Sequence, residues 1–273
     1  MDLAIWPLAQ QPWADVLDAV RHADDTGWQG AYVADHFMGD GSVFGAEDGP
    51  THEATAAVAA LGAATRNVRV GTLVLSATYR RAAVVANWAS TVDHVTGGRL
   101  VLGLGAGWQA NEHEQYGIPL PPPAERIRLL DETCAAIRGL LTQERTTFTG
   151  EHVVLHDARC EPKPVQRPLP LLIGAKGDRI LRVVARHADI WNLWAMPDTL
   201  TTRRAELERH CERIGRDPAT IRQSVQAMVL VTDDAREARA FEERMAPRAA
   251  VAGPVERFAE LVQEWAAVGV DEV

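Results

Sequence analysis

Lysine is almost missing from this chain. Of its 28 basic residues only Lys163 and Lys176 are lysine, which makes Lys176, set in a glycine turn, conspicuous. Cysteine is scarce as well: Cys134, Cys160 and Cys211 are odd in number, far apart, and form no Cys-x-x-Cys pair. That excludes a disulfide framework and fits reduced thiols in a cytoplasmic protein. No apolar run reaches the ~18–20 residues of a membrane span. Asp2 and the turn residues after it break up any signal-peptide core, so no membrane association is expected. A basic face is missing too. The net charge of −9 argues against nucleic-acid binding, while leaving room for a local anion pocket. Paired metal-ligand spacing is also absent. Asp35-His36, His52-Glu53 and Glu112-His113 offer imidazole and carboxylate groups, but no His-x-His or similar pair, so no metal is expected.

What is present is an apolar content of 47% in 273 residues, enough for one large domain or two small ones. No linker or internal repeat interrupts the chain, so a single domain over 1–273 is expected. Strand and helix patterns alternate along it. Leu3–Trp6, Gly30–Ala34, Val68–Leu75 and Leu100–Leu104 read as the first four strands. Between and behind them, 13–26, 51–65 (with Thr51 as cap), 82–95 and 124–141 read as helices. Residues 142–168 alternate polar and apolar around Gly150 and read as a hairpin excursion. Leu171–Ile173, Asp189–Leu193 and Ser224–Val231 then continue as strands five to seven, with helices at 178–187, 200–214, 233–245 and 255–267. Val270–Val273 begins an eighth strand. Repeated β-α units in this number predict a (β/α)8 TIM barrel with an incomplete eighth unit.

The strand ends carry the candidate chemistry. In a barrel of parallel strands the functional groups stand at the carboxyl ends. Three such ends are 31–37 (Ala-Tyr-Val-Ala-Asp-His-Phe), 70–76 (Val-Gly-Thr-Leu-Val-Leu-Ser) and 97–108 (Gly-Gly-Arg-Leu-Val-Leu-Gly-Leu-Gly-Ala-Gly-Trp). His36 carries an imidazole, a group that can take or give a proton. Gly103-x-Gly105-x-Gly107-Trp108 fails as a dinucleotide fingerprint, because Trp108 takes the place of the last glycine; glycines there let a planar ligand approach the backbone. Gly174-Ala175-Lys176-Gly177 joins a strand to a helix and suits a phosphate. Trp6, Trp108 and Trp194 also fall near strand ends and are candidate walls of a substrate pocket.

The wording of these segments resembles the luciferase-like monooxygenase superfamily, and within it the branch that uses the deazaflavin coenzyme F-420. The resemblance extends over the whole chain. It implies a TIM barrel of the luciferase-like type and hydride transfer between F-420 and a small organic substrate, with His36 catalytic and Asp35 cofactor-binding next to the reactive face of the deazaflavin. It implies a strand bulge with a non-proline cis peptide at Leu73-Val74 behind the ring, and Ser76 bonding the cofactor. Gly105, Ala106, Gly107 and Asn111 would line the cofactor, with its phosphate at Gly174, Ala175, Lys176 and Gly177. A homodimer is the habit of such enzymes. Where the sugar-phosphate dehydrogenases of the family carry an acidic proton donor, this chain has Trp108, which weighs against that substrate. An FMN-dependent monooxygenase on the same scaffold, or a non-catalytic flavin-binding barrel, remain as other readings.

Overall fold

The buried apolar runs become parallel strands. The structure is a computed structural model that describes residues 1–42 and 44–273 and groups them in two compact units. The larger is 4–174; the smaller joins 1–3 to 175–273.

In the larger unit the strands are β1 (Ala4–Ile5), β2 (Gly30–Val33), β3 (Arg69–Thr72), β4 (Leu75–Ser76), β5 (Leu100–Gly105), the hairpin β6 (Thr146–Thr149) and β7 (Val154–Ala158), and β8 (Leu171–Gly174). The helices are α1 (Trp13–Asp25), α2 (Ala54–Ala64), α3 (Ala82–Val95), α4 (Ala110–Tyr116) and α5 (Pro123–Thr142). The parallel order is β1-β2-β3-β5-β8, with β4 joined to β5. Every residue of β5 is buried, as expected for a parallel strand covered on both faces.

Strand three divides. β3 pairs Gly71 with Val101, and β4 then pairs Leu75 with Leu104. Between these pairs it has three residues, 72–74, where β5 has two, 102 and 103, so one residue bulges out. Thr72 fills the gap in the ladder. Its hydroxyl donates to the Gly103 carbonyl at 2.8 Å and accepts from the Gly103 N–H at 3.1 Å.

The start of β3 is pinned by charge. Both carboxylate oxygens of Asp24, at the end of α1, accept backbone N–H bonds from Arg66, Asn67 and Val68 at 2.7–2.9 Å. Arg99 spans the same corner, donating to the carbonyls of Gly62, Thr65, Val68 and Thr96. Burial opposes the charge on Asp24, but the three N–H bonds and nearby Arg99 outweigh it and lower its pKa.

The smaller unit holds α6 (Asp178–His187), β9 (Ile190–Trp194), α7 (Pro197–Ile214), β10 (Arg222–Gln226), β11 (Met228–Val231), α8 (Ala235–Met245), β12 (Ala250–Gly253) and α9 (Val255–Ala267). β9 and β10 run parallel, and β11 pairs with β12 as a separate two-stranded sheet. No described helix is long and apolar enough to cross a membrane.

Several local expectations change. Thr51 does not cap α2; Glu53 does, accepting the Ala56 N–H at 2.7 Å, because the helix starts with its first alanine, Ala54, three residues later than expected. The seventh strand at 224–231 is two strands, β10 and β11, which pair with different partners on either side of Ala227. α4 and β12 were not visible as elements, both being short. Val270–Val273 forms no strand; Glu272 makes single bridges to Asp2 and Ser224. The hairpin of the 142–168 excursion is present.

The folded pKa of Asp24 lies below its ordinary 3.8, so its bonds act fully above that pH and are lost as pH falls through the depressed folded value. Asp24→Ala is expected to destabilise the protein at pH 7 by about 1–3 kcal/mol, chiefly the cost of orphaning the buried Val68 N–H. Its melting temperature should also fall less steeply than wild type on acidification below pH 4, read by circular dichroism.

Candidate active site

Val74 is the central wedge of the bulge. The Leu73–Val74 peptide is cis, as the resemblance implies. A Cβ at Gly105 would stand 2.6 Å from Val74 Cγ2, and one at Gly174 would stand 3.1 Å from the same methyl. At Gly103 a Cβ would strike the Thr72 carbonyl and crowd Val74 Cγ1 at 3.2 Å. On the side where a Cβ would stand, the space that Gly105 leaves is taken by Val74. Gly107 has φ +73°, and its missing Cβ leaves room for the hydroxyls of Ser76 and Thr78.

His36 follows β2 and keeps 23% of its side chain exposed. Its Nδ1 lies 2.9 Å from Oε1 of Glu112, which is fully buried on α4. The Tyr79 hydroxyl donates to the same oxygen, and the Phe37 N–H donates to Oε2 at 2.8 Å. Burial opposes charge on Glu112, but the bonds from His36, Tyr79 and Phe37 prevail and hold its pKa below the ordinary range. Burial and the adjoining carboxylate push the Tyr79 phenol upward, so it stays a donor. No described residue bonds His36 Nε2. The Trp108 ring stands edge-to-face with the His36 ring at 5.5 Å and is 52% exposed.

Asp35 faces away from this cluster. It receives both terminal nitrogens of Arg80 at 2.7 and 3.0 Å and the Ser76 N–H at 2.9 Å. Arg80 also reaches Glu53 at 2.5 Å, and although burial disfavours its charge, the two carboxylates raise its pKa. Asp35 thus locks β4 to the end of β2.

Ser76 ends a hydroxyl chain. Its Oγ lies 2.6 Å from Thr78 Oγ1, which lies 2.7 Å from His113 Nε2, while His113 Nδ1 meets the Gln109 carbonyl at 2.6 Å. A neutral His113 must donate from Nδ1 to that carbonyl, so Thr78 donates to Nε2 and Ser76 donates to Thr78. Asn111 gives its side-chain N–H to the Gly39 carbonyl at 2.9 Å and holds the loop after β2. Ala106 is half-buried between Gly105 and Gly107. Trp6 packs edge-to-face on Phe44 at 6.1 Å.

The turn after β8 leads into the smaller unit. Ala175 is buried; its N–H donates to the Asn192 carbonyl at 2.9 Å, and its carbonyl accepts from Trp191 Nε1 at 2.8 Å. Lys176 and Gly177 are exposed, and a Cβ at Gly177 would meet nothing within 4 Å. No side chain caps the first turn of α6. Asp178, which opens that helix, is engaged by His210 Nε2 at 2.9 Å. Trp194 is half-buried at the end of β9.

A luciferase-like monooxygenase family profile matches residues 1–248. The chain belongs to the luciferase-like monooxygenase family. It is 32% identical over 178 residues to an F420-dependent glucose-6-phosphate dehydrogenase of Intrasporangium calvum, covering 64% of this chain and 52% of that one. It is 28% identical over 189 residues to an FMNH(2)-dependent dimethylsulfone monooxygenase of Pseudomonas putida, 69% of this chain and 52% of that one. The chain thus spans about half the length of these curated relatives. Among solved structures, an F420-dependent secondary alcohol dehydrogenase superposes with TM-score 0.85 at 19% identity, covering 99% of this chain and 91% of the other. The F420-dependent tetrahydromethanopterin reductase of Methanopyrus kandleri gives 0.83 at 17%, with 100% and 92% covered. The fold is therefore the luciferase-like TIM barrel.

Within this family member the partners of His36 and Ser76 had escaped sequence reading. Glu112 and His113 were noted only as possible metal ligands, and Tyr79, Thr78 and Arg80 not at all. Among the described residues no group of three or more such side chains is arranged to hold a metal ion. The signal that could have found Glu112 and His113 is their adjacency in a polar segment directly after a glycine-rich strand end.

Gly105→Ala should overpack Val74 and destabilise the protein by about 1–3 kcal/mol. Val74→Ala in the same chain should return most of that loss, which a double-mutant cycle of denaturant midpoints would measure. Additive losses would show that Gly105 and Val74 do not compete for space.

Proposed function

We propose that this protein is an F-420-dependent oxidoreductase that transfers a hydride between the deazaflavin and a small organic molecule. The observation that carries the reading is His36, half-buried, with Nδ1 committed to a buried carboxylate and Nε2 without a partner among the described residues. Such a ring is prepared to exchange a proton with a bound molecule. The F420-dependent relatives and structural neighbours support the choice of coenzyme.

The residues present fit the coenzyme in two places, each judged on its own unit. In the larger unit, Leu73, Val74 and Ser76 would back its ring, with Gly105, Ala106, Gly107 and Asn111 along it. At the 174–177 turn, open space beside Gly177, an uncapped helix start and the exposed ammonium of Lys176 suit its phosphate, with Gly174 and Ala175 shaping the turn. When bound, the deazaflavin accepts or donates a hydride at its C5. His36 would hold or move the proton that balances that transfer, at Nε2. Trp108 would shield His36 from water, and Trp6 and Trp194 would bound the substrate space. Tryptophan at 108 supports a moderately apolar substrate over a sugar phosphate. The same reading takes the chain as one cytoplasmic catalytic domain over 1–273 that works as a homodimer. A second reading, an FMN-dependent monooxygenase, is favoured by the dimethylsulfone monooxygenase relative.

Titration with F-420 and with FMN, followed by quenching of the eight tryptophans, separates the two. Tighter F-420 binding is expected; tighter FMN binding transfers the assignment to the monooxygenase. Lys176→Ala should weaken F-420 roughly 10- to 100-fold, the worth of one charge-assisted bond. His36→Asn should leave binding intact and slow turnover about 10²–10⁴-fold, the usual loss of a general acid-base. Unchanged turnover removes His36 from the mechanism.

A further inference from the structure

We infer that Glu112 is the positioning residue of His36: it fixes the imidazole as the Nδ1–H tautomer and so presents Nε2 to the ligand as a hydrogen-bond acceptor. The inference rests on the functional reading above for what His36 does, but its geometry stands without it.

An ionised carboxylate only accepts hydrogen bonds. Its oxygens here face three groups: His36 Nδ1 at 2.9 Å and the Tyr79 hydroxyl on Oε1, and the Phe37 N–H at 2.8 Å on Oε2. The carboxylate is fully buried, so water is not at hand to substitute for any of them. The neutral imidazole must therefore carry its proton on Nδ1, and Nε2, which no described residue bonds, is left bare. A ligand group that meets Nε2 best is an N–H or O–H. Tyr79 shares the load: its ring packs 4.8 Å from that of Phe37, which keeps the phenol aimed at the carboxylate. Tyr79 and Phe37 together prevent Glu112 from turning away, so the rotation of the imidazole is set as well as its tautomer.

The substitution Glu112→Gln discriminates sharply. An amide keeps one acceptor oxygen and gains a donor of nearly the same shape. Of the three groups it must satisfy, only the Phe37 N–H can do nothing but donate. Its loss would orphan a buried backbone group, whereas the histidine can move its proton and the phenol can accept instead. The amide oxygen is therefore expected on Phe37 and the NH2 on His36 and Tyr79, which forces the Nε2–H tautomer. In a catalytic triad the matching exchange of carboxylate for amide leaves geometry intact and lowers kcat by about 10⁴ through the wrong tautomer.

The test is long-range ¹H–¹⁵N correlation spectroscopy of the histidine rings in the cofactor-free, full-length protein, at a pH where His36 is neutral, with His36→Asn to assign its signals. Wild type should show a protonated Nδ1 and a bare Nε2. Glu112→Gln should show the reverse pattern. Tyr79→Phe, which leaves an acceptor-only carboxylate on Nδ1, should match wild type. A wild-type ring protonated on Nε2, or a pattern unchanged in Glu112→Gln, overturns the proposal. If Glu112→Gln does not fold, the wild-type and Tyr79→Phe spectra still decide it, because either one protonated on Nε2 refutes the assignment. No coenzyme enters this experiment. Failure of F-420 to bind would thus remove the functional reading while leaving the tautomer result standing, and the reverse combination would remove Glu112 alone.

Discussion

Val74 occupies the volume that three glycines leave empty, and the architecture beside His36 depends on that packing. With one residue bulged between β3 and β4, the strand can no longer match β5 bond for bond. Thr72 repairs the ladder with its hydroxyl, and Val74 fits against Gly103, Gly105 and Gly174 from neighbouring strands. A methyl group on any of the three would meet Val74 or the Thr72 carbonyl at less than ordinary contact distance. Past the bulge, β4 delivers Ser76 to Asp35, and the following turn delivers Thr78, Tyr79 and Arg80. The glycines that a sequence reader assigns to a ligand are therefore first a condition of close packing between strands.

Charge is distributed around this frame in one recurring way: three carboxylates, Asp24, Asp35 and Glu112, are each met by several donors. Asp35 holds Arg80 and a backbone N–H, Glu112 holds His36, Tyr79 and a backbone N–H, and Asp24 holds three consecutive backbone N–H groups. Desolvating a carboxylate without such partners would be prohibitive. Asp35 and Asp24 spend their bonds on holding segments together. Glu112 differs, because one of its partners is a half-buried imidazole whose second nitrogen no described residue bonds. That difference, and not burial or charge alone, separates a site residue from a scaffold residue here.

The short helix α4 shows why sequence reading fell short of the site. Seven residues give too little periodicity to mark a helix, and their composition, Ala-Asn-Glu-His-Glu-Gln-Tyr, reads as a polar loop. Folded, it buries Glu112 against His36 and His113 against Thr78 from adjacent positions. The strand positions were legible, since long apolar runs ending in glycine or polar residues carry their own periodicity. The division of strand seven and the pairing of β11 with β12 were not, because both depend on which neighbour a strand finds.

By itself the sequence determined the alternation of strands and helices and the placing of His36 and the 174–177 turn at strand ends, while the location of the bulge came only through the family it resembles. These follow from local patterns and short motifs, which a linear chain displays directly. Only the tertiary structure decided what those residues touch. Glu112 and His36 are 76 positions apart, and Asp35 and Arg80 are 45 apart. Their meeting is settled by how β2, β3 and β5 align, a matter of long-range pairing and packing volume that no local window of the chain contains. The same alignment sets Val74 in the space beside Gly105 and makes Glu112 the partner of His36.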